Sequence, residues 1–221
     1  MIKNPAAARP GMVCTVNIRA SLCSVRYVVH KCSKCYKSKM KKSDSKKQAL
    51  LEKLAPYIMM HGVQSASLRP MAKHAETSDR MLIYHFGTKE ALIGELLQFI
   101  ADQVTEQLQA ALPPEKPKSQ KDALTEIVTL LRTPPMRIFM SLWFEVLSIA
   151  GKGQDRYRDI GRQIISGFLD WVESRLPDSE SDPANSRALL LTLIEGITVM
   201  DFLDHGETAD RAIETLFQHY R

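Results

Sequence analysis

Beyond residue 35 the chain has no cysteine, and before residue 40 it has no aspartate or glutamate. The first absence leaves most of the molecule without disulfides, as in a reducing compartment. The second segregates charge: residues 1–39 carry +8, residues 40–90 carry +4 and residues 91–221 carry −7, within a formal net charge of +5. A basic front and an acidic back point to a polyanionic partner for the front. No apolar run reaches the ~18 residues of a membrane span. The longest candidate, Ala188 to Met200, is too short and is interrupted by Glu195. No basic head, apolar middle and small-residue cleavage site opens the chain. The expectation is a soluble, cytoplasmic protein with no membrane partner.

The chemistry-bearing motifs are also missing. There is no P-loop, GxSxG, HExxH or GxGxxG, and Gly151-Lys152-Gly153 lacks phosphate-loop spacing. Scattered carboxylates form no pair that the sequence places in a cleft. No catalytic residue, enzyme activity or cofactor is expected. The four cysteines, Cys14, Cys23, Cys32 and Cys35, all fall early, and Cys32-Ser-Lys-Cys35 has CxxC spacing. A small zinc site would need Cys14 and Cys23 to form the other pair, yet they lie too far apart for a compact knuckle. An irregular tail explains them better, and no metal is assigned.

What is present from Lys46 onward is helical periodicity. Ala49, Leu50, Leu54, Tyr57 and Ile58 mark one helix face, with Pro56 expected to bend or loosen the helix and Gly62 to end it. Ser67 suits an N-cap, and Leu68, Met71, Ala72 and Ala75 share the next face. After the tight Ala75-Glu76-Thr77 connection, Thr77 or Ser78 can cap a helix that points Leu82 and Phe86 inward. Thr88 can cap a long helix to about Ala111. Prolines and glycines divide the remainder into helices at about 119–132, 135–150, 155–176, 183–204 and 207–220. No strand-period alternation follows residue 40, so the fold class is all-α.

Two short helices across a three-residue turn become stable when others pack over them, leaving one helix face free. Arg80, Tyr84, His85 and Lys89 lie on or beside that face. Such a face suits phosphates or base edges, although a surface helix in an ordinary bundle would show the same pattern. Ser67-Leu68-Arg69-Pro70-Met71-Ala72, Thr77-Ser78, Leu82-Ile83-Tyr84-His85-Phe86 and Thr88-Lys89-Glu90-Ala91-Leu92 together resemble the TetR (tetracycline repressor-type) transcriptional regulators over residues 46–100. The resemblance implies a homodimer whose N-terminal three helices bind double-stranded DNA at a near-palindromic operator. It also implies C-terminal helices that dimerise and hold a small-molecule effector. By position, Ser67 and Arg69 would reach phosphates. Thr77, Ser78, Arg80, Met81, Ile83, Tyr84 and His85 would form the reading end and face, and Lys89 would touch phosphate. Two features depart from the family: Glu76 stands where a turn glycine is usual, and Pro56 is uncommon in the first helix. Glu76 and Asp79 also leave open a helical ligand- or protein-binding module with a vestigial helix-turn-helix.

The C-terminal helices say less. Leu190, Leu193, Ile194, Ile197, Met200 and Leu203, with Ala212, Ile213 and Phe217, give apolar stripes that serve either a core or a dimer surface. Met140, Trp143, Phe144, Phe168 and Trp171, beside Phe139, could line an apolar effector pocket or be ordinary core aromatics. Asp201, Asp204 and His205 have metal-compatible spacing, but a solvated helix end explains them equally well. The expected organisation is a basic extension over 1–45, disordered or mis-assigned, a helix-turn-helix domain over 46–100 with its motif at 67–86, and a helical regulatory and dimerisation domain over 101–221. For residues 1–39 a basic arm, a cysteine-zinc module and a true start at Met40 compete. The abrupt change of composition favours Met40.

Overall fold

The computed structural model describes residues 42–219; the expectations for residues 1–39 lie outside them. The described residues form nine helices and no strand: α1 (Lys42–His61), α2 (Leu68–His74), α3 (Asp79–Phe86), α4 (Lys89–Ala111), α5 (Gln120–Leu131), α6 (Pro134–Gly151), α7 (Asp155–Ser174), α8 (Pro183–Phe202) and α9 (Gly206–His219). Capping fixes several starts. Ser78, Thr88, Ser119 and Asp182 each accept a backbone N–H from the first turn of the following helix. Pro134 and Pro183 open α6 and α8, where a missing N–H costs nothing.

Two local expectations need correction, the Ser67 cap and the buried face of α1. Ser67 has extended N-cap backbone, but its side chain makes no capping bond. α1 runs through Pro56, which lies on its exposed side. The inward row of α1 is Leu51, Leu54 and Ile58; Ala49 is exposed, so the buried face is rotated from the periodicity expected of it.

The first four helices pack as a unit. Leu54 and Ile58 of α1, Met71 and Ala72 of α2, Leu82 and Phe86 of α3, and Leu92 and Leu96 of α4 are all buried in one core. Lys47 ties this unit from outside: its Nζ pairs with Glu95 at 2.6 Å and lies 5.1 Å from the centre of the Phe86 ring. The remaining helices stack α6 on α7, α7 on α8 and α5 on α8. Arg175, at the end of α7, is almost fully buried. Its guanidinium donates to the carbonyls of Pro113 (3.1 Å) and Glu115 (3.2 Å) and pairs with Glu126 at 3.3 Å, while its Nε has no partner. It thereby holds the proline-bearing α4–α5 connection against the bundle.

Two of the polar contacts from the later helices reach the turn after α1 and the first turn of α4. Gly62 ends α1 at φ 76°, a left-handed conformation that favours glycine. Glu145 of α6 reaches the same turn and accepts the Val63 N–H at 2.6 Å. A β-carbon at Gly62 would collide with that carboxylate. Arg156 of α7 donates to the carbonyl of Glu90 in the first turn of α4 at 3.1 Å.

Candidate nucleic-acid interface and regulatory cavity

The α2–α3 connection begins where Ala75 closes α2. Glu76 follows at φ 55°, the left-handed region that charges a side chain with β-carbon crowding. Lys53 of α1 meets it there: its Nζ lies 2.6 Å from the Glu76 carboxylate and 3.4 Å from the Ala75 carbonyl. The hydrogen bond from Lys53, reinforced by its charge, holds the Glu76 carboxyl below its ordinary pKa. Ser78 then starts α3, accepting the Met81 N–H at 3.3 Å.

Leu82 and Phe86 anchor α3, so its opposite face is fixed toward solvent. Tyr84 is 75% exposed, Met81 and Ile83 are exposed, and His85 is partly covered and edge-on to the Tyr84 ring at 5.1 Å. Ser67, Arg69, Ser78 and Arg80 are exposed, whereas Thr77 and Lys89 are partly covered. Thus Arg80, Met81, Ile83, Tyr84 and His85 share the outer surface of one eight-residue helix. Among the described residues, Arg69, Arg80 and Lys89 make no ion pair, nor does Lys73, an exposed cation of α2 that the sequence reading overlooked. Unpaired cations beside an exposed hydroxyl and rings can neutralise phosphate and reach base edges.

Of the expected pocket residues, Met140, Trp143, Phe168 and Trp171 surround one small cavity of about 30 Å³, with Phe139 and Glu195. Phe144 does not join them. It turns away, edge-on to Phe202 at 4.9 Å. Glu195 is the residue that reading of the aromatics missed, although its signal was visible as the lone charge inside the apolar run of α8. Its carboxylate accepts the Trp143 Nε1–H at 2.9 Å. Burial pushes the carboxyl above its ordinary pKa, and the Trp143 N–H partly offsets that shift.

Asp201, considered as a metal ligand, is instead held by Arg132 through two bonds of 2.9 Å, and Asp210 joins at 2.8 Å. No metal-type cluster occurs among the described residues, and no helix among them is long and apolar enough to cross a membrane. On α8, Leu190, Ile194 and Ile197 are core, while Leu203 is 64% exposed. Leu189 and Val199, not singled out from the sequence, continue that exposed apolar edge.

No family model matches this chain. It is similar to HTH-type transcriptional regulator PksA of Bacillus subtilis (strain 168), 24% identical over 187 residues, covering 80% of this chain and 88% of that protein. Among solved structures it resembles multidrug binding protein EbrR complexed with proflavin, with TM-score 0.59 and 19% identity over 78% of this chain and 98% of that one. It also resembles a TetR transcription regulator from Haloarcula marismortui, with TM-score 0.57 and 16% identity over 79% of this chain and 96% of that one. The all-α fold is therefore that of the TetR-type regulators, as the residues around the α2–α3 turn implied, and the relatives are regulators rather than enzymes.

Proposed function

We propose that this chain is a sequence-specific DNA-binding transcriptional regulator, a repressor released from its operator by a small molecule. The observation that carries the reading is α3 itself. It is pinned by Leu82 and Phe86 and presents Arg80, Tyr84 and His85 outward beside the unpaired cations Arg69 and Lys89. Residues 46–100 act as the reading domain and 101–221 as the regulatory and dimerising domain. The working site is the cytoplasm, on the nucleoid. Ser67, Arg69 and Lys89 grip phosphates; Ser78, Arg80 and Tyr84 meet the major groove, with Thr77, Met81, Ile83 and His85 shaping the surface around them. The resemblance to a protein crystallised with proflavin supports the Met140–Trp143–Phe168–Trp171 cavity as the effector site.

The homodimer forms through α8 and α9. Its exposed edge of Leu189, Val199 and Leu203 supports this arrangement, which sets two α3 helices about one DNA turn apart, ~34–36 Å. The test is an anisotropy titration with DNA from upstream of its own gene against random duplex at several salt concentrations. Specific binding that weakens steeply with salt is expected, because cations on phosphate release counterions. A folded dimer with no preference for any such fragment would overturn the reading in favour of a helical module with a vestigial helix-turn-helix. Leu203→Glu is expected to yield monomers in sedimentation and to lose operator binding; an unchanged dimer would move the interface elsewhere.

A further inference from the structure

The cavity enclosed by α4, α5, α6, α7 and α8 has a lining that is apolar except at one point, Glu195. That point is a carboxylate, half-buried beside four rings: Phe139, Trp143, Phe168 and Trp171. A carboxylate offers about four acceptor positions. Glu195 has one donor, the Trp143 Nε1–H, and no cation within ion-pair distance among the described residues. Several other acidic groups of these helices are matched by cations: Asp201 by Arg132, Glu126 by Arg175, and Asp170 and Glu173 by Arg187; Glu145, whose carboxylate takes the Val63 N–H, has none among the described residues. A half-buried carboxylate facing rings, with one protein donor, gains from a positive charge placed beside it. Burial already shifts the carboxyl toward its neutral form, and a bound cation would reverse that penalty.

The rings point the same way. Aromatic faces are electron-rich and attract cations, most strongly where water is excluded. Phe168 stands between Phe139 (6.1 Å, tilted) and Trp171 (6.5 Å, edge-on), so the wall offers faces and edges in several directions. An anion would meet both the carboxylate and the ring faces unfavourably. A neutral apolar molecule would desolvate Glu195 further and give nothing back.

We propose that this cavity selects an organic cation, an apolar or aromatic body bearing one positive charge, whose charge pairs with Glu195 while its body lies among Phe139, Trp143, Phe168 and Trp171. The inference rests on the reading of the chain as a ligand-controlled regulator and names the chemical class of its effector. The cavity holds little more than a water molecule's volume, so entry must part the Trp143–Glu195 bond and move the rings. Trp143 lies two residues before Glu145, which grips the α1 turn at Val63. Displacement of that stretch of α6 therefore reaches the helices that hold α3.

The test uses three probes with one bicyclic body: N-methylquinolinium (cation), 1-methylnaphthalene (neutral) and naphthalene-1-carboxylate (anion). The chain has two tryptophans, Trp143 and Trp171, and both line the cavity. Their fluorescence reports occupancy without DNA, and calorimetry gives affinity. N-methylquinolinium is expected to bind tightest and the anion weakest. Glu195→Gln, which keeps an acceptor for Trp143, is expected to weaken the cation about tenfold, as one lost ion pair would, while changing 1-methylnaphthalene by less than about twofold. Circular dichroism checks that the variant folds. Equal effects on cation and neutral probe, tighter binding of the neutral or anionic probe, or no tryptophan response to the cation would each overturn the inference. Operator binding measured in parallel separates the two readings. Specific DNA binding without a cation response sinks only the effector class. A cation response without specific DNA binding sinks only the regulator.

Discussion

The α2–α3 surface and the cavity beside α8 leave charges of opposite sign without an ion pair among the described residues. On α2, α3 and the start of α4, Arg69, Lys73, Arg80 and Lys89 have no ion pair among the described residues. In the later helices Arg132, Arg175 and Arg187 are each bound to carboxylates, and Lys121 pairs with Glu214 at 2.8 Å. Beside the cavity it is an anion, Glu195, that has no ion pair among the described residues. The paired charges tie one helix to another, whereas these unpaired ones leave capacity for a charge of the opposite sign. The front presents its free cations on an open surface, and the back sets a carboxylate at the wall of a cavity.

If the contrast holds, removing a back-region cation must damage stability. Arg175→Met leaves the Pro113 and Glu115 carbonyls and the partly exposed Glu126 without their donor. A loss of about 3 kcal/mol is expected, seen as a fall in Tm of roughly 6–12 °C. Operator affinity per folded dimer should hardly change. A fall of a degree or less would show that the connection is held by its apolar contacts instead.

The seam between the regions comes next. Gly62→Ala forces a β-carbon into left-handed backbone and against Glu145. Strain of about 1–2 kcal/mol adds to the lost charge-assisted bond from Val63, about 1.5 kcal/mol or more, for about 3 kcal/mol in all. The sharper reading is functional. With Glu145 displaced, a ligand that moves α6 loses its hold on α1, so effector release of DNA should weaken more than DNA binding does. Unaltered release in the folded variant would move the coupling to the α4–α7 contacts, among them Arg156–Glu90 and Trp171–Gln109.

Arg80→Ala reverses the pattern of Arg175. Tm should stay within about a degree, since the side chain is exposed and unpaired. Operator affinity should fall by ~1–3 kcal/mol if the guanidinium reads a base. An equal loss on random DNA would show that it touches only phosphate.

These regions also differed in how far the sequence disclosed them. The helix count and class were legible because breakers and caps are local: Ser78, Thr88, Ser119, Gly62 and the prolines act within a turn of where they stand. The α3 face was legible because two buried residues four apart, Leu82 and Phe86, fix what points outward. The cavity was half legible. Apolar periodicity put Met140 and Trp143 on an inward face, but Phe144, adjacent in sequence, faces Phe202, and one-dimensional spacing does not say which neighbour a half-buried ring meets. Glu195, Glu145 and Arg175 were missed because each acts on a residue 49 to 82 positions away. No local pattern encodes such partners.

The smallest expected effect tests the turn. Glu76 sits at φ 55°, where glycine would be unstrained, and its side chain is 80% exposed in its pair with Lys53. Glu76→Gly removes the crowding and an ion pair that water screens, while adding freedom to the unfolded chain. The first term should win narrowly, with Tm rising by roughly 2 °C. Glu76→Ala separates the terms, because it keeps the β-carbon and loses the pair; its Tm should fall slightly. That deficit also has a pH signature. Lys53 lowers the Glu76 carboxyl from its ordinary 4.5, so the pair stabilises the folded state above that value and ceases to as pH falls through the lowered one. The difference between Glu76→Ala and the native chain should therefore shrink below about pH 4.5. A native chain more stable than Glu76→Gly at neutral pH would mean that Lys53, gripping both the carboxylate and the Ala75 carbonyl, contributes more to the turn than the left-handed backbone takes away.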